Sequence, residues 1–335
     1  MSTVHVVVPE GIDDPARPSG GNTFDRRVCR GLVELGWAVR VHEAASIDAL
    51  RAVLSTLPDG ALVLVDGLLA SPAPEALVPE ADRVRQVVLV HMPFGDERER
   101  AVLSAATAVV TTSDWTRQEL MQRYDLPADR VHVAVPGVDP AELAPGTATA
   151  GALLSVAAVI PGKGHDVLLD ALAALPDAEW QCVCVGTLER DPAFATALER
   201  RVVDGGMKPR VRFPGAQSDA ELARSYRAAD VLVVPSRGET YGMVVTEALA
   251  RGLPVVATDV GGVPEALGFG DDGSRPGLLV PPDDPAALAG ALRLWLEDGG
   301  LRRRLRRAAR ERRAVLPRWS ATTAAVADVL AGAAG

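Results

Sequence analysis

The stretch RGETYGMVVTEALARGLPVVATDVGGVPE, residues 237–265, decides the fold. An apolar run, VLVV at 231–234, precedes it and closes on Pro235 and Ser236. A polar turn follows, and then Met243, Val244, Ala248 and Leu249 recur at helical spacing. The segment reads strand, loop, helix, with another strand, PVVAT, at 254–258. Glu239 falls in the loop, and Glu247, eight positions on, falls about two turns inside the helix. The first N–H groups of that helix, near Tyr241 to Val244, lack intrahelical partners and face whatever lies above the carboxyl edge of the sheet. Such an edge suits a phosphate or a polyhydroxyl ligand.

Outward from this segment the same alternation continues. Strand-like runs stand at 4–8, 38–42, 61–65, 86–90, 107–112 and 131–134, and again at 152–158, 180–185, 210–213, 231–234, 254–258 and 277–280. Runs this apolar suit strands covered on both faces by helices. Strand–helix alternation predicts parallel α/β layers, and six strands on each side predict two similar sheets. A divider rich in Pro, Gly, Ala and Thr, PGVDPAELAPGTATAG at 136–151, separates the halves. The expected domains are residues 1–145 and 150–316. A break at Leu316-Pro317 precedes a final helix from Ser320, covering about 318–333.

Two carboxylates eight apart are common as solvated helix-surface residues. Set within PSRGETYGMVVTEALARGLPVVATDVGG, however, the pair resembles the signature of the retaining nucleotide-sugar glycosyltransferases of family 4. That resemblance implies a GT-B fold, two Rossmann-like domains facing each other across a cleft. It implies that Glu239, with Thr240, Tyr241, Gly242, Met243 and Val244, cradles the donor sugar, and that Glu247 accepts from the ribose hydroxyls. The PGKG turn at 161–164 resembles the family's loop in which a lysine holds the donor pyrophosphate, a role that would fall to Lys163. Glycines flanking a lysine let the backbone approach a phosphate, while the ammonium supplies a point charge. Gly20 and Gly21, before a helix expected near Thr23, correspond to a Gly-Gly loop facing the donor phosphates. There is no GxGxxG, so the dehydrogenase fingerprint is absent. His91 follows the strand at 86–90, where open α/β sheets bind ligands, and the family has a histidine there near the reacting sugar. His165 is read as part of a helix start, and Glu265 as a secondary candidate.

One departure stands out. The family places an arginine five residues before the lysine, and this chain has Ala158. Arg237 is the candidate to replace it. The implied catalytic set is His91, Glu239 and Lys163. Donor binding adds Gly20, Gly21, Arg237, Thr240 to Val244 and Glu247.

Composition narrows the classes. A net charge of −9 argues against a nucleic-acid partner, which needs a basic footprint. Only Lys163 and Lys208 are lysines, so one of two lies in the PGKG turn. Cys29, Cys182 and Cys184 offer no metal-ligand spacing and fit a reducing cytoplasm. No Asp-x-Asp follows a strand and no His/Asp cluster is visible, so no metal and no cofactor is expected, the nucleotide sugar being a co-substrate. The N-terminus opens on a strand, so no signal peptide is expected, and no apolar run reaches membrane-span length. LRRRLRRAARERRA at 301–314 admits an amphipathic reading toward anionic lipid. Its narrow apolar side and the preceding Glu297 and Asp298 favour a solvated face, so peripheral membrane contact is not expected.

The expected reaction is transfer of a sugar from a nucleoside diphosphate, UDP before GDP, to a hydroxyl acceptor, with retention. The alternatives are a GT-B epimerase, phosphorylase or hydrolase, or a nucleotide-sugar-binding protein without catalysis. Neither the acceptor nor the oligomeric state can be read from these letters.

Overall fold

Twelve strands form two six-stranded sheets in the computed structural model, which describes residues 2–14 and 19–335. All twelve coincide with the runs read as strands, with ends moved by at most two residues. The chain divides into two units, Met1–Gly137 with Pro317–Gly335, and Val138–Leu316.

The first unit contains β1 (Thr3–Pro9), α1 (Gly20–Glu34), β2 (Ala38–Ala44), α2 (Ile47–Thr56), β3 (Leu62–Asp66), α3 (Gly67–Ala70), α4 (Pro74–Leu77), β4 (Arg85–Val90), α5 (Glu97–Ala105), β5 (Ala108–Thr111), α6 (Asp114–Tyr124) and β6 (Val131–Val133). The second contains β7 (Ala152–Val156), α7 (His165–Ala173), β8 (Gln181–Val185), α8 (Pro192–Asp204), β9 (Val211–Gly215), α9 (Asp219–Ala228), β10 (Val231–Val234), α10 (Met243–Leu249), β11 (Val255–Thr258), α11 (Val263–Leu267), β12 (Gly277–Val280), α12 (Pro285–Glu297) and α13 (Gly299–Ala314). The final helix, α14 (Trp319–Ala334), returns to the first unit.

Every strand pairing is parallel. The first sheet runs β2-β1-β3-β4-β5-β6 and the second β12-β11-β10-β7-β8-β9. Chain direction across the sheet therefore reverses between β1 and β3 in one unit, and between β7 and β10 in the other. At such a reversal, successive loops leave to opposite faces and open a crevice above the carboxyl ends of the strands.

Alternation along the strands builds the cores. Val4, Val6, Val8, Leu62, Leu64, Val87 and Leu89 face one side of the first sheet. Phe24, Val28 and Leu32 of α1, with Val326 and Leu330 of α14, cover them. Val7, Val63, Val65, Val88 and Val90 face the other side, under Leu50, Leu54, Leu77 and Leu103. In the second unit Trp295 of α12 is fully buried, and its indole N–H donates to Ala150 O at 2.9 Å. The narrow apolar side of α13, Leu301, Leu305, Ala308 and Ala309, is buried, while Arg306 pairs with Asp230 and Arg307 with Asp272. No helix among the described residues is long and apolar enough to cross a membrane.

Three boundaries differ from the sequence reading. Helix α1 starts at Gly20, not near Thr23, because Ser19 is extended and its Oγ accepts from Asn22 N at 3.0 Å. Gly20 and Gly21 thus form the first turn of a helix rather than a loop before it. Gly242, with φ +93°, caps α10, so Tyr241 lies outside the helix and Glu247 stands at its fifth residue rather than two turns in. Helix α14 begins at Trp319. Ala16 to Pro18, at the start of the loop ARPSGGN, lie outside the described residues.

Candidate active site

In the second unit, the loops after β7 and β10 leave the two strands that flank the reversal point. The first carries Lys163 and the second Glu239, and Lys163 Nζ donates to Glu239 Oε1 at 2.7 Å. Ser236 Oγ donates to the same oxygen at 2.7 Å. Glycines permit this approach. Gly164 has φ +67°, and a Cβ there would lie 1.9 Å from Pro235 O. On the other flank, the Gly261-Gly262 turn after β11 packs on the Glu239 loop, and a Cβ at Gly261 would lie 1.8 Å from Glu239 O. Gly262 N donates to that carbonyl at 3.0 Å. The loop holding Glu239 is thus fixed from both sides by backbone contacts that no larger residue allows.

Arg237 does not stand free to replace the arginine missing at Ala158. Its guanidinium makes a bidentate pair with Asp166, at 3.0 and 2.8 Å, and a further bond to Asp283 Oδ1 at 2.7 Å. Its Nη1 also donates to Pro161 O. Against the effect of burial, this pairing holds Asp166 below the usual carboxylate range. Arg237 therefore pins the Lys163 loop to the Glu239 loop, with its charge already matched.

Glu247 lies one turn into α10. Tyr226 of α9, fully buried, donates its hydroxyl to Glu247 Oε2 at 2.8 Å. The guanidinium of Arg251 stacks over the Tyr226 ring, 4.5 Å from its centroid. Burial raises the pKa of Glu247, against the pull of the Tyr226 hydrogen bond and Arg251. Sequence reading missed Tyr226 because nothing local ties it to a residue 21 positions later. The Tyr241 ring is buried, which leaves its backbone rather than its side chain available at the loop surface. Thr240, Met243 and Val244 are partly exposed beside it. His165 opens α7 with both ring nitrogens buried and without hydrogen bonds among the described residues, and burial depresses its pKa to about 4.

The first unit has its own cluster, also at the reversal point. His91 follows β4, Asp66 ends β3, and Asp25 lies on α1. His91 Nε2 stands 2.9 Å from Asp25 Oδ1 and 3.8 Å from Asp66 Oδ2. The three ligand-type atoms lie within 4.8 Å of one another, close enough to share one proton or one cation. This corrects the reading that no His/Asp cluster exists. Positions 25, 66 and 91 are too far apart in the chain to look related, and the fold gathers them. Gly21 belongs to the same place, since a Cβ there would lie 3.3 Å from His91 Cδ2. The turn after His91 is pinned by buried Glu99, which accepts from Phe94 N, Gly95 N, Ser71 Oγ and Tyr124 Oη at 2.6–3.0 Å.

Two doubly wound units, each with polar groups gathered above its reversal point, define a two-unit Rossmann-like α/β architecture. The description "Glycosyl transferases group 1" matches residues 148–312, and "Glycosyltransferase Family 4" matches residues 67–142. A D-inositol 3-phosphate glycosyltransferase of Jonesia denitrificans is 37% identical over 232 residues, 63% of this chain and 54% of that protein. The chain spans about half the length of the curated relatives it matches. Among solved structures, sucrose-phosphate synthase of Thermosynechococcus elongatus shares the fold with TM-score 0.79 at 23% identity, covering 99% of each chain. Anabaena HepE, solved with UDP-glucose, does so with TM-score 0.79 at 19% identity, covering 99% of this chain and all of that one. The chain belongs to the family 4 glycosyltransferases, with the GT-B fold.

Proposed function

We propose that this protein is a retaining, metal-independent glycosyltransferase that moves a sugar from a nucleoside diphosphate, UDP first, to a hydroxyl acceptor. The observation that carries the reading is the meeting of Lys163 and Glu239 at 2.7 Å, from two loops that flank the reversal point of the second sheet. A cation beside a carboxylate is the pairing a sugar diphosphate needs. The ammonium faces the diphosphate, and the carboxylate accepts from sugar hydroxyls. Lys163, with the backbone amides from Tyr241 to Val244, meets the charge that grows on the leaving diphosphate, a stabilisation present before the reaction begins. Glu247 has Oε2 held by Tyr226 and Oε1 left for ribose hydroxyls. Nucleophilic attack comes from the acceptor oxygen on the leaving-group face, with its proton passing to the departing phosphate. The matched HepE structure holds UDP-glucose, which supports the uridine choice. Free Cys29, Cys182 and Cys184 fit a reaction in the reducing cytoplasm.

A panel of nucleotide sugars, read by thermal shift and then by product analysis with inositol phosphates among the acceptors, tests the proposal. UDP-sugar turnover that continues in excess EDTA, with the anomeric configuration kept, is expected. An EDTA-dead enzyme restored by Mg²⁺ or Mn²⁺ overturns the metal-independent reading. Isomerised or hydrolysed donor with no acceptor product moves the chain to another reaction class.

A further inference from the structure

Helix α1 packs its apolar side on the first sheet through Phe24, Val28 and Leu32, yet Asp25 is buried beside them with 3% of its surface exposed. A carboxylate in that position is costly unless something holds its charge. What holds it is His91. An ionised carboxylate only accepts, so Nε2 carries the proton and donates it to Asp25 Oδ1 at 2.9 Å. Asp66, 2% exposed, approaches the same nitrogen at 3.8 Å, and its Oδ1 is fixed by Leu68 N at 2.6 Å. Among the described residues, Asp25 Oδ2 and Asp66 Oδ2 are both buried without a donor.

The ring itself is boxed in. Gly21 lets α1 approach one face, and Phe24 meets the ring edge-on at 5.2 Å between centroids. Nδ1 has no partner among the described residues and is not one of the sealed, unpaired atoms. We propose that Asp25 is a positioning residue for the reaction: it accepts Nε2–H of His91, with the Asp66 carboxyl adding its charge from 3.8 Å, and so turns Nδ1–H outward as a donor to the sugar-bearing ligand. The proposal rests on the glycosyltransferase reading for the identity of that ligand. The groups acting on His91 are Asp25 of α1 and Asp66 of β3. Burial opposes its charge, yet Asp25 and then Asp66 outweigh burial and lift its pKa to about 9. Burial, with Asp25 adding, pushes Asp66 up to about 7 against the pull of His91. Cys29, one turn along α1, stays a neutral thiol, its pKa raised to about 12 by burial and then by Asp25 and Asp13.

The test uses the full chain with ¹⁵N-labelled histidines, followed by long-range ¹H–¹⁵N correlation from pH 5 to 10, with His91→Gln assigning the signal. An imidazolium that persists above pH 8 is expected in the wild type. Asp25→Asn should move its midpoint down by about one to three pH units, the effect of losing one adjacent opposite charge. Turnover of UDP-glucose should lose kcat with KM nearly unchanged and a shifted pH profile, and Asp25→Glu should restore part of it. Circular dichroism of each variant excludes loss of fold. A midpoint near the ordinary histidine value in the wild type, or one unmoved in both Asp25 variants, overturns the proposal. So does a stoichiometric divalent metal in the purified protein that Asp25→Asn releases. Failure of UDP to bind the wild-type chain would overturn the glycosyltransferase reading, while the titration would still decide Asp25.

Discussion

Lys163 and Glu239 satisfy one another before any ligand arrives, at 2.7 Å. Under the proposed reading, a diphosphate entering this site would exchange one anionic partner of the lysine for another. Lys163→Ala should weaken UDP binding by about 10- to 150-fold, from about 1.5–3 kcal/mol for one charge-assisted contact. Uridine, which lacks phosphates, should bind both forms alike. Calorimetry with both ligands at two salt concentrations checks this. Equal UDP affinity in wild type and variant removes the phosphate role. For Glu247, loss of the carboxylate should cost more than loss of the hydroxyl that orients it. Tyr226→Phe removes one neutral donor, worth about 0.5–1.5 kcal/mol, and should raise the Kd for UDP by about 2- to 12-fold. Glu247→Ala should exceed that range, and the reverse order would show that Tyr226 has another task. Lys163, Glu239 and Glu247 stand out in the sequence because each sits in a short linear motif. Tyr226, Asp25 and Asp66 do not, because their partners lie 21 to 66 positions away and only the sheet order brings them together. Arg237 was legible as a cation near the site, but its two carboxylate partners were invisible in the letters around it.

Loops do the positioning here, and glycine fixes how close they come. At Gly261 a side chain would meet Glu239 O while the backbone has φ +53°. Gly261→Ala should therefore push the Glu239 loop outward and strain the turn by about 1–2 kcal/mol. UDP-glucose affinity should fall more than UDP affinity, because the clash falls on Glu239, the proposed partner of the sugar hydroxyls, while the diphosphate keeps Lys163. Competition binding with the two ligands checks this, and equal losses would place the damage elsewhere. The strands and most helices could be read from apolar periodicity, since parallel strands buried on both faces are nearly continuous runs of Val, Leu and Ala. Cap geometry was harder. The start of α1 depends on the extended conformation of Ser19, and the start of α10 on the positive φ of Gly242, and neither leaves a mark in hydrophobic spacing.

On the scale of the whole molecule, the first unit is discontinuous in sequence. Its sheet carries one face closed by α14, through Val326 and Leu330. Leu330→Asp would put an unpaired charge in that layer and should lower the unfolding temperature of the first unit. UDP should still raise that of the second unit, by the free energy of binding alone. Calorimetric scans with and without UDP should separate the two transitions, and a single transition shifted as one would show that the units unfold together. The pH dependence falls on the first unit. His91, with its pKa lifted to about 9, contributes stability that is full below the ordinary histidine value and is lost as pH rises through about 9. Asp66, raised to about 7, acts in the same direction, its contribution fading between the ordinary carboxylate value and about 7. The first transition should drop in temperature from pH 6.5 to 9.5, and His91→Gln should flatten the drop. A flat wild-type profile would mean that the cluster does not titrate as a unit.

The return of α14 to the first sheet sets a timetable for the nascent chain. Strands β1 to β6 leave the ribosome early, yet the layer of Val4, Val6, Leu62 and Leu64 stays half uncovered until Val326 and Leu330 emerge. At about 5–20 residues per second, that interval is roughly 10–40 s. The second unit, continuous from Val138 to Leu316, finishes within it. Synthesis thus reverses the usual order, the later-made half being the first to mature, and trigger-type chaperones should be found on the N-terminal sheet while translation is still under way.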